Sequence, residues 1–261
     1  MAINRNNELL RVDEPWRPPA FAQTSSRKGR FIAFCRRLMD LQAASVWRDL
    51  TAPLASAQGV VLDVGAGAQP YRGLLSPSAT YRAIDIAEAG DSFGYQNPDT
   101  EYFSGDVWPV ASDSVDVVLS TETLEHVPDP DRFLAEVNRV LRRGGMLILT
   151  VPFSARWHYV PHDYWRFTPS GLQMLLERNG FGSVRVHARG NALTVAMLKC
   201  SALILPLLMS PAGRWRWLRV CAGLLLSPLL VGFALIGQVS LRASGGTDCL
   251  GYTVFAALSS D

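Results

Sequence analysis

Cysteine is sparse in this chain, net charge is nearly absent and no long basic run occurs, and each shortage removes a class of function. The four cysteines among 261 residues, Cys35, Cys200, Cys221 and Cys249, lie far apart. None of the close spacing that zinc ligation or a small disulfide framework needs is present, so they read as reduced, mostly buried thiols. A formal charge of +2 without a basic block interleaved with aromatics excludes the electrostatic footprint of a nucleic-acid binder. The first thirty residues carry Arg5, Arg11, Asp13, Glu14, Arg17 and Arg27 and lack a sustained apolar run. No secretory signal is expected there, and the main domain is expected in the cytoplasm.

What is present is an alternation of short apolar runs and helical patterns, the signature of a mostly parallel sheet with helices on both faces. Strands are expected at 59–64, 81–86, 102–104, 115–120, 145–151, 183–187 and 252–258. A polar, proline-bearing arm fills 1–28, and Phe31, Phe34, Leu38, Leu41, Ala44 and Trp47 recur at helical spacing within 31–54. Between the fourth and fifth strands a helix is well marked. Asp129 is its N-cap, Pro130 its first residue, Phe133, Leu134, Val137, Val140 and Leu141 its apolar face, and Gly144 its end. A further helix is expected over 172–178. The domains expected are 1–54 as arm and capping helix, 55–190 with 250–261 as the main domain, and 191–249 as an apolar helical hairpin.

The run VVLDVGAGAQPY ends a buried strand in a glycine turn, where backbone amides at Gly65 and Gly67 can approach a ligand unobstructed. A dinucleotide fingerprint needs a third glycine, and Pro70 stands there instead, removing an amide donor. Asp63 discriminates further. A carboxylate at the strand tip repels a pyrophosphate but suits a ligand carrying an ammonium and a sulfonium, which favours S-adenosylmethionine. Asp85 follows about twenty residues later, where a carboxylate can accept from both ribose hydroxyls; a turn or helix-cap role is the plainer alternative.

With D-x-G-x-G, the acidic tip in YRAIDI, GDVWPV and SVDVVLSTETLEHVPDPDRFLAEVNRVLRRGGMLILTVPF on the page, residues 59–181 resemble class I methyltransferases of the small-molecule type. The resemblance implies a Rossmann-like seven-stranded sheet whose last strand, at 252–258, is antiparallel, and S-adenosylmethionine as cofactor. By that likeness Asp63 lies near the methionine ammonium, Asp85 holds the ribose, and Asp106 with Val107 meets the adenine. Ser120, Thr121 and Glu122 line the methionine and the transfer site. Gln69 departs from the common pattern, standing where the family has its last glycine. The plainer reading of Gly105 and Asp106 is a turn.

Methyl transfer from a sulfonium is an in-line displacement, so the protein mainly aligns the nucleophile and excludes water, with a base needed only for a protonated nucleophile. The candidates for substrate chemistry are His126 in LEHVPDP and His158, His162, Asp163 and Tyr164 in RWHYVPHDYWRF, with His126, His162 and Asp163 preferred as catalytic. His126 could equally be a polar residue at a helix entrance. Pro161 argues against one helix presenting His158 and His162 together, so no metal site is expected. Trp157, Tyr159, Tyr164, Trp165 and Phe167 suggest a lid. HDYWRFTPSGLQMLLERNGF also resembles a segment of bacterial methyltransferases tied to surface glycan or glycolipid pathways.

The sixty residues before the last strand exceed what such a fold needs. Residues 193–209 are apolar apart from Lys199 and two small polar residues, and 220–239 carry no charge and match a bilayer-spanning length. Between them RWRWLR alternates basic and indole side chains, as at a headgroup layer. A spanning hairpin would put these arginines outside, against the positive-inside tendency. An interfacial or re-entrant hairpin over 193–241, on the inner face of the membrane, is therefore preferred, with a buried helical pair as the alternative. The acceptor expected is a small or lipid-linked molecule methylated on oxygen, such as a glycolipid, a polyprenol-linked glycan intermediate or a quinone precursor. A nucleotide-dependent oxidoreductase conflicts with Asp63 and Pro70. A non-catalytic membrane scaffold keeping the fold is the other alternative. Oligomeric state is not legible.

Overall fold

The computed structural model describes residues 26–94, 96–209, 213–243 and 245–259, so most of the arm expected over 1–28 lies outside the described residues. The chain divides into two units, one built on Leu50–Val186 and the residues from Thr253, the other on Thr24–Asp49 and His187–Tyr252.

In chain order the helices α1 (Arg27–Met39) and α2 (Leu41–Ser56) precede β1 (Gly59–Val64), β2 (Ala79–Ile86), α3 (Ala89–Phe93), β3 (Glu101–Phe103) and β4 (Val115–Thr121). There follow α4 (Pro130–Val140), β5 (Leu141–Pro152), α5 (Pro169–Arg178), β6 (Phe181–Arg189), α6 (Ala192–Leu208), α7 (Arg216–Ser240) and β7 (Gly251–Leu258). The sheet order is β3-β2-β1-β4-β5-β7-β6, with β7 antiparallel. Strand order reverses between β1 and β4, which pair in parallel at Val61 with Val117 and Asp63 with Leu119. In such sheets a crevice for ligands opens beyond the carboxyl ends of the strands at that reversal.

The core strands read as near-continuous apolar runs because both faces are covered. Val61, Leu62, Val118, Leu119, Leu147, Ile148 and Leu149 are all buried. Helix α4 starts as its sequence dictates, Asp129 accepting a hydrogen bond from the Arg132 amide at 3.1 Å and Pro130 opening the first turn. Its Phe133, Leu134, Val137 and Val140 are buried, at about 1.5–3 kcal/mol for each large side chain.

Two expected boundaries are corrected. The single helix over 31–54 is two, because Asp40 is extended and its carboxylate caps the Ala43 amide at 3.0 Å. Helix α4 stops at Val140, not near Gly144: Leu141 is extended and pairs with Val115 as the first residue of β5, where a register irregularity absorbs Gly144 at φ +73°.

In the second unit, Asn191 caps α6 through the amides of Leu193 and Thr194. The Thr194 and Ser240 hydroxyls meet at 2.7 Å, joining the start of α6 to the end of α7. Glycine lets these helices approach, since a Cβ on Gly223 would fall 2.9 Å from Leu208. Gln238 of α7 donates to the carbonyls of Arg37 and Leu38 at 2.9 and 3.0 Å. Helix α7 is long and apolar enough to cross a membrane, yet only 22% of its most apolar window is buried. Leu203, Trp217, Leu224, Leu225 and Val239 are exposed, as are Phe31 and Phe34 of α1. The cysteines are unpaired but less buried than expected, Cys249 alone being buried and Cys221 exposed, because the apolar helices that carry Cys200 and Cys221 face outward.

Candidate active site

Strand β1 delivers Asp63 to the reversal point, and the loop after it turns back sharply. The Gly65 and Ala66 amides both donate to the Ile84 carbonyl, at 3.0 and 3.3 Å. Gly65 has φ +69°, and a Cβ there would lie 2.4 Å from Thr123, so glycine is needed for both conformation and space. Gln69, the departure noted in the sequence, adopts φ +54°, the left-handed conformation a glycine takes without strain. Its side chain compensates by bonding: the amide donates to Thr100 at 2.9 Å and the carbonyl oxygen accepts from Arg72 at 3.1 Å.

Two carboxylates frame this loop. Asp63 accepts from the Tyr81 hydroxyl at 2.7 Å through Oδ2, while its buried Oδ1 has no partner among the described residues. Burial pushes the Asp63 carboxyl up to about 7, against the lowering hydrogen bond from Tyr81 and with the charge of Asp85 adding to the rise. Asp85 accepts from the Gly67 amide at 3.0 Å and the Ile86 amide at 2.8 Å, so it fastens β2 to the glycine loop. Burial raises its carboxyl too, opposed by those two bonds.

At the end of β4, Ser120 is buried and its hydroxyl has no partner among the described residues, while Thr121 is half-buried. Glu122 takes φ +50° and its amide donates to the Thr150 carbonyl at 2.9 Å, turning the chain off the sheet. Thr123 then contacts the Gly65 carbonyl at 3.5 Å, drawing the β1 and β4 loops together. Asp106 and Val107 stand apart on the surface. Asp106 pairs with Arg132 at 2.6 Å and Val107 is 66% exposed. Their segment is pinned instead at Trp108, whose amide donates to Glu136 at 2.7 Å and whose ring packs on Phe133 at 5.2 Å.

Beyond β4 a short helical turn, Leu124–His126, meets the irregular segment between β5 and α5. The Tyr164 and Trp165 amides donate to the Glu125 carbonyl at 2.8 and 3.3 Å, and His126 Nδ1 donates to the His162 carbonyl at 2.7 Å. The Trp165 indole donates to the Val127 carbonyl at 2.9 Å. The rings of Phe93, His158 and Tyr159 lie 5.3, 5.0 and 5.4 Å from that of His126. Burial pushes the His126 imidazole down to about 4, so it is neutral at neutral pH.

Asp163 is held by Arg166 at 2.6 and 2.7 Å and faces His158 Nδ1 at 2.9 Å. Burial alone would raise its carboxyl, but Arg166 and His158 outweigh that and hold it below the usual range. Asp163 thus orients its neighbours. His162 meets His126 through its backbone, its ring lying 3.5 Å from the Tyr164 hydroxyl.

The residue that sequence reasoning missed is Glu125. It is fully buried, both carboxylate oxygens lack a partner among the described residues, and Oε1 lies 3.7 Å from His126 Nε2. Burial and the nearby charges of Glu122 and Asp163 push its carboxyl well up. Adjacency to His126 in LEHV was the available signal. The pairing of His158 with His126 had none, since it depends on the path of the later segment.

Residues 62–149 match the family model described as a methyltransferase domain. A ubiquinone biosynthesis O-methyltransferase of Cereibacter sphaeroides is 30% identical over 172 residues, 54% of this chain and 68% of that protein. An uncharacterised methyltransferase of Mycobacteroides abscessus is 39% identical over 100 residues, 34% of this chain and 38% of that protein. A Thermotoga maritima S-adenosylmethionine-dependent methyltransferase of known structure superposes with a TM-score of 0.50 at 14% identity, over 88% of this chain and 97% of that one, a likeness of fold.

Proposed function

The chain belongs to the class I S-adenosylmethionine-dependent methyltransferases, and we propose that it methylates an oxygen of a small or lipid-linked acceptor. The cofactor supplies an electrophilic methyl group on a sulfonium. The residues at the β1 to β4 reversal fit it. Asp63 has an unpartnered buried oxygen for the methionine ammonium. Gly65 and Gly67 hold the loop in left-handed conformations that glycine adopts freely, and Asp85, already set by two amides, retains lone pairs for the ribose hydroxyls. Ser120 and Thr121 line the methionine end. Asp106 and Val107 would hold the adenine, as the family resemblance implies; here Asp106 pairs with Arg132.

The observation that carries the acceptor reading is the group Glu125, His126 and His158. The His126 tautomer is fixed by its Nδ1 bond to the His162 carbonyl, which leaves the Nε2 lone pair facing Glu125. Glu125, His126 and His158 would take the proton from a hydroxyl held here, and S-adenosylmethionine, when bound, would supply the methyl group that replaces it. His162 and Asp163 act as positioning residues, on His126 and His158. That the similar Cereibacter protein is an O-methyltransferase of ubiquinone biosynthesis supports oxygen as the nucleophile.

The lipid-linked part rests on the second unit. Core helices of globular proteins are mostly buried, whereas α7 is mostly exposed and RWRWLR brings Arg214, Arg216 and Arg219 beside Trp215 and Trp217. The proposed seat is the cytoplasmic face of a membrane, with 191–249 as an interfacial hairpin and 55–190 with 250–261 as the methyltransferase domain. The test is transfer of labelled methyl to hydroxylated acceptors, free and anchored in anionic vesicles, together with vesicle flotation. Transfer that favours the anchored acceptor, with co-flotation, is expected. Transfer only to amines, or no flotation, contradicts the reading.

A further inference from the structure

We infer that Glu125, His126 and His158 form a binding site for a divalent transition-metal cation of the zinc class, at the acceptor end of the active site. One ligand atom from each of the three lies within 4.8 Å of the others. Metal-binding imidazoles characteristically give their second ring N–H to a carboxylate or backbone carbonyl, which fixes the tautomer and aims the remaining lone pair at the metal. Both histidines commit Nδ1 to such an acceptor. His126 Nδ1 is committed to the His162 carbonyl at 2.7 Å. His158 Nδ1 faces only acceptors, the Asp163 carboxylate at 2.9 Å and the Arg156 carbonyl at 3.0 Å. Asp163 is itself fixed by two bonds from Arg166, so the outer support is complete.

The third donor is the independent observation. The Glu125 side chain is fully buried, and neither carboxylate oxygen has a hydrogen-bond partner among the described residues. A buried carboxylate is ordinarily paired or metal-bound. Its Oε1 stands 3.7 Å from His126 Nε2. With the tautomer fixed, the His126 Nε2 lone pair faces the Glu125 carboxyl across a gap wider than a hydrogen bond, which a cation bound by both would bridge. Two imidazoles and a carboxylate with one position open is a donor set used by catalytic zinc sites and accepted by neighbouring first-row cations. Pro161 excludes a helical His158–His162 pair, as the sequence suggested, but the loop brings His158 to His126 instead.

What the cation does rests on the reading of the function above; that it binds does not. An acceptor oxygen taking the open position would be made more acidic by the cation and release its proton to water before accepting the methyl group. The lone pairs of Glu125 and His126 would then serve as ligands.

The test uses the full-length protein, stripped by a chelator, dialysed against Zn²⁺ and assayed for bound metal, with Co²⁺ as a spectroscopic probe. Wild type is expected to hold roughly one equivalent, and Co²⁺ to show the intense visible bands of a four-coordinate site. Glu125→Gln, which keeps the side-chain shape, and His158→Asn, on the loop, should each lose that equivalent and those bands while titrating normally with S-adenosylhomocysteine. Asp163→Asn should weaken Zn²⁺ about 10–100-fold, as expected for an outer-shell partner. Wild type that titrates with S-adenosylhomocysteine but holds no metal, or equal metal in wild type and both variants, overturns the site. Metal binding lost in the variants without transfer to any hydroxyl supports the site while refuting the acceptor reading.

Discussion

The two ends of this active site are built differently. The cofactor end is made of strand tips and backbone. Asp63 and Asp85 sit on adjacent strands, and Asp85 fastens the glycine loop through the Gly67 amide. The acceptor end is made of side chains brought from a turn after β4 and from a loop thirty residues on, His126 meeting the carbonyl of His162. The first is part of the scaffold that any ligand of this kind requires. The second is an addition to it. The comparison teaches that cofactor binding and acceptor chemistry should be separable by mutation.

The largest expected separation is at His126. His126→Asn should lower methyl transfer about 10²–10⁴-fold through loss of proton handling, with cofactor affinity within twofold of wild type by calorimetry. A parallel loss of cofactor affinity would break the comparison. Asp85→Ala should act in the opposite sense. If the carboxylate holds the ribose as proposed, its loss removes those hydrogen bonds together with the loop amide bonds, so affinity for S-adenosylmethionine should fall about 100-fold or more.

Asp63 sharpens the cofactor end through pH. Its carboxyl is raised to about 7 in the folded chain and is charged from about pH 4 upward when unfolded, so folding disfavours the charged form. Stability of the ligand-free protein from this group is therefore full below the unfolded value and lost as pH rises toward 7. Cofactor binding should run the other way, because under the proposed reading the methionine ammonium selects the charged carboxylate. Affinity should fall up to about tenfold per pH unit below 7, and Asp63→Asn should flatten that profile. A flat wild-type profile from pH 6 to 8 would place the ammonium elsewhere. The smallest effect belongs to Asp106→Ala. If Asp106 holds the adenine as proposed, losing that one hydrogen bond should weaken binding about tenfold, and its exposed pair with Arg132 contributes about 1 kcal/mol or less to the melting behaviour.

The cofactor end was legible because its residues are contiguous in sequence with their purpose. A buried strand, a carboxylate and two glycines describe β1 and its turn without reference to anything distant, and the strand tip of β2 repeats the logic at Asp85. Register between parallel strands then follows from apolar runs. The acceptor end was legible only in part. His126, His162 and Asp163 were named for their chemistry, but their division of labour depends on the path of 153–168, which no periodicity specifies. Glu125 was passed over because a glutamate beside a turn ordinarily faces water. The boundaries of α1, α2 and α4 shifted for local reasons: Asp40 caps its own helix, and Leu141 finds a strand partner in Val115 before Gly144 can end the helix.

The most direct test of the two-ended account is a calorimetric titration of wild type, Asp85→Ala and His126→Asn with S-adenosylhomocysteine, alongside methyl transfer by the same samples. The account predicts that Asp85→Ala loses binding and transfer together, while His126→Asn binds like wild type and loses transfer alone. Equal binding by all three folded proteins, or lost binding in His126→Asn, would contradict it.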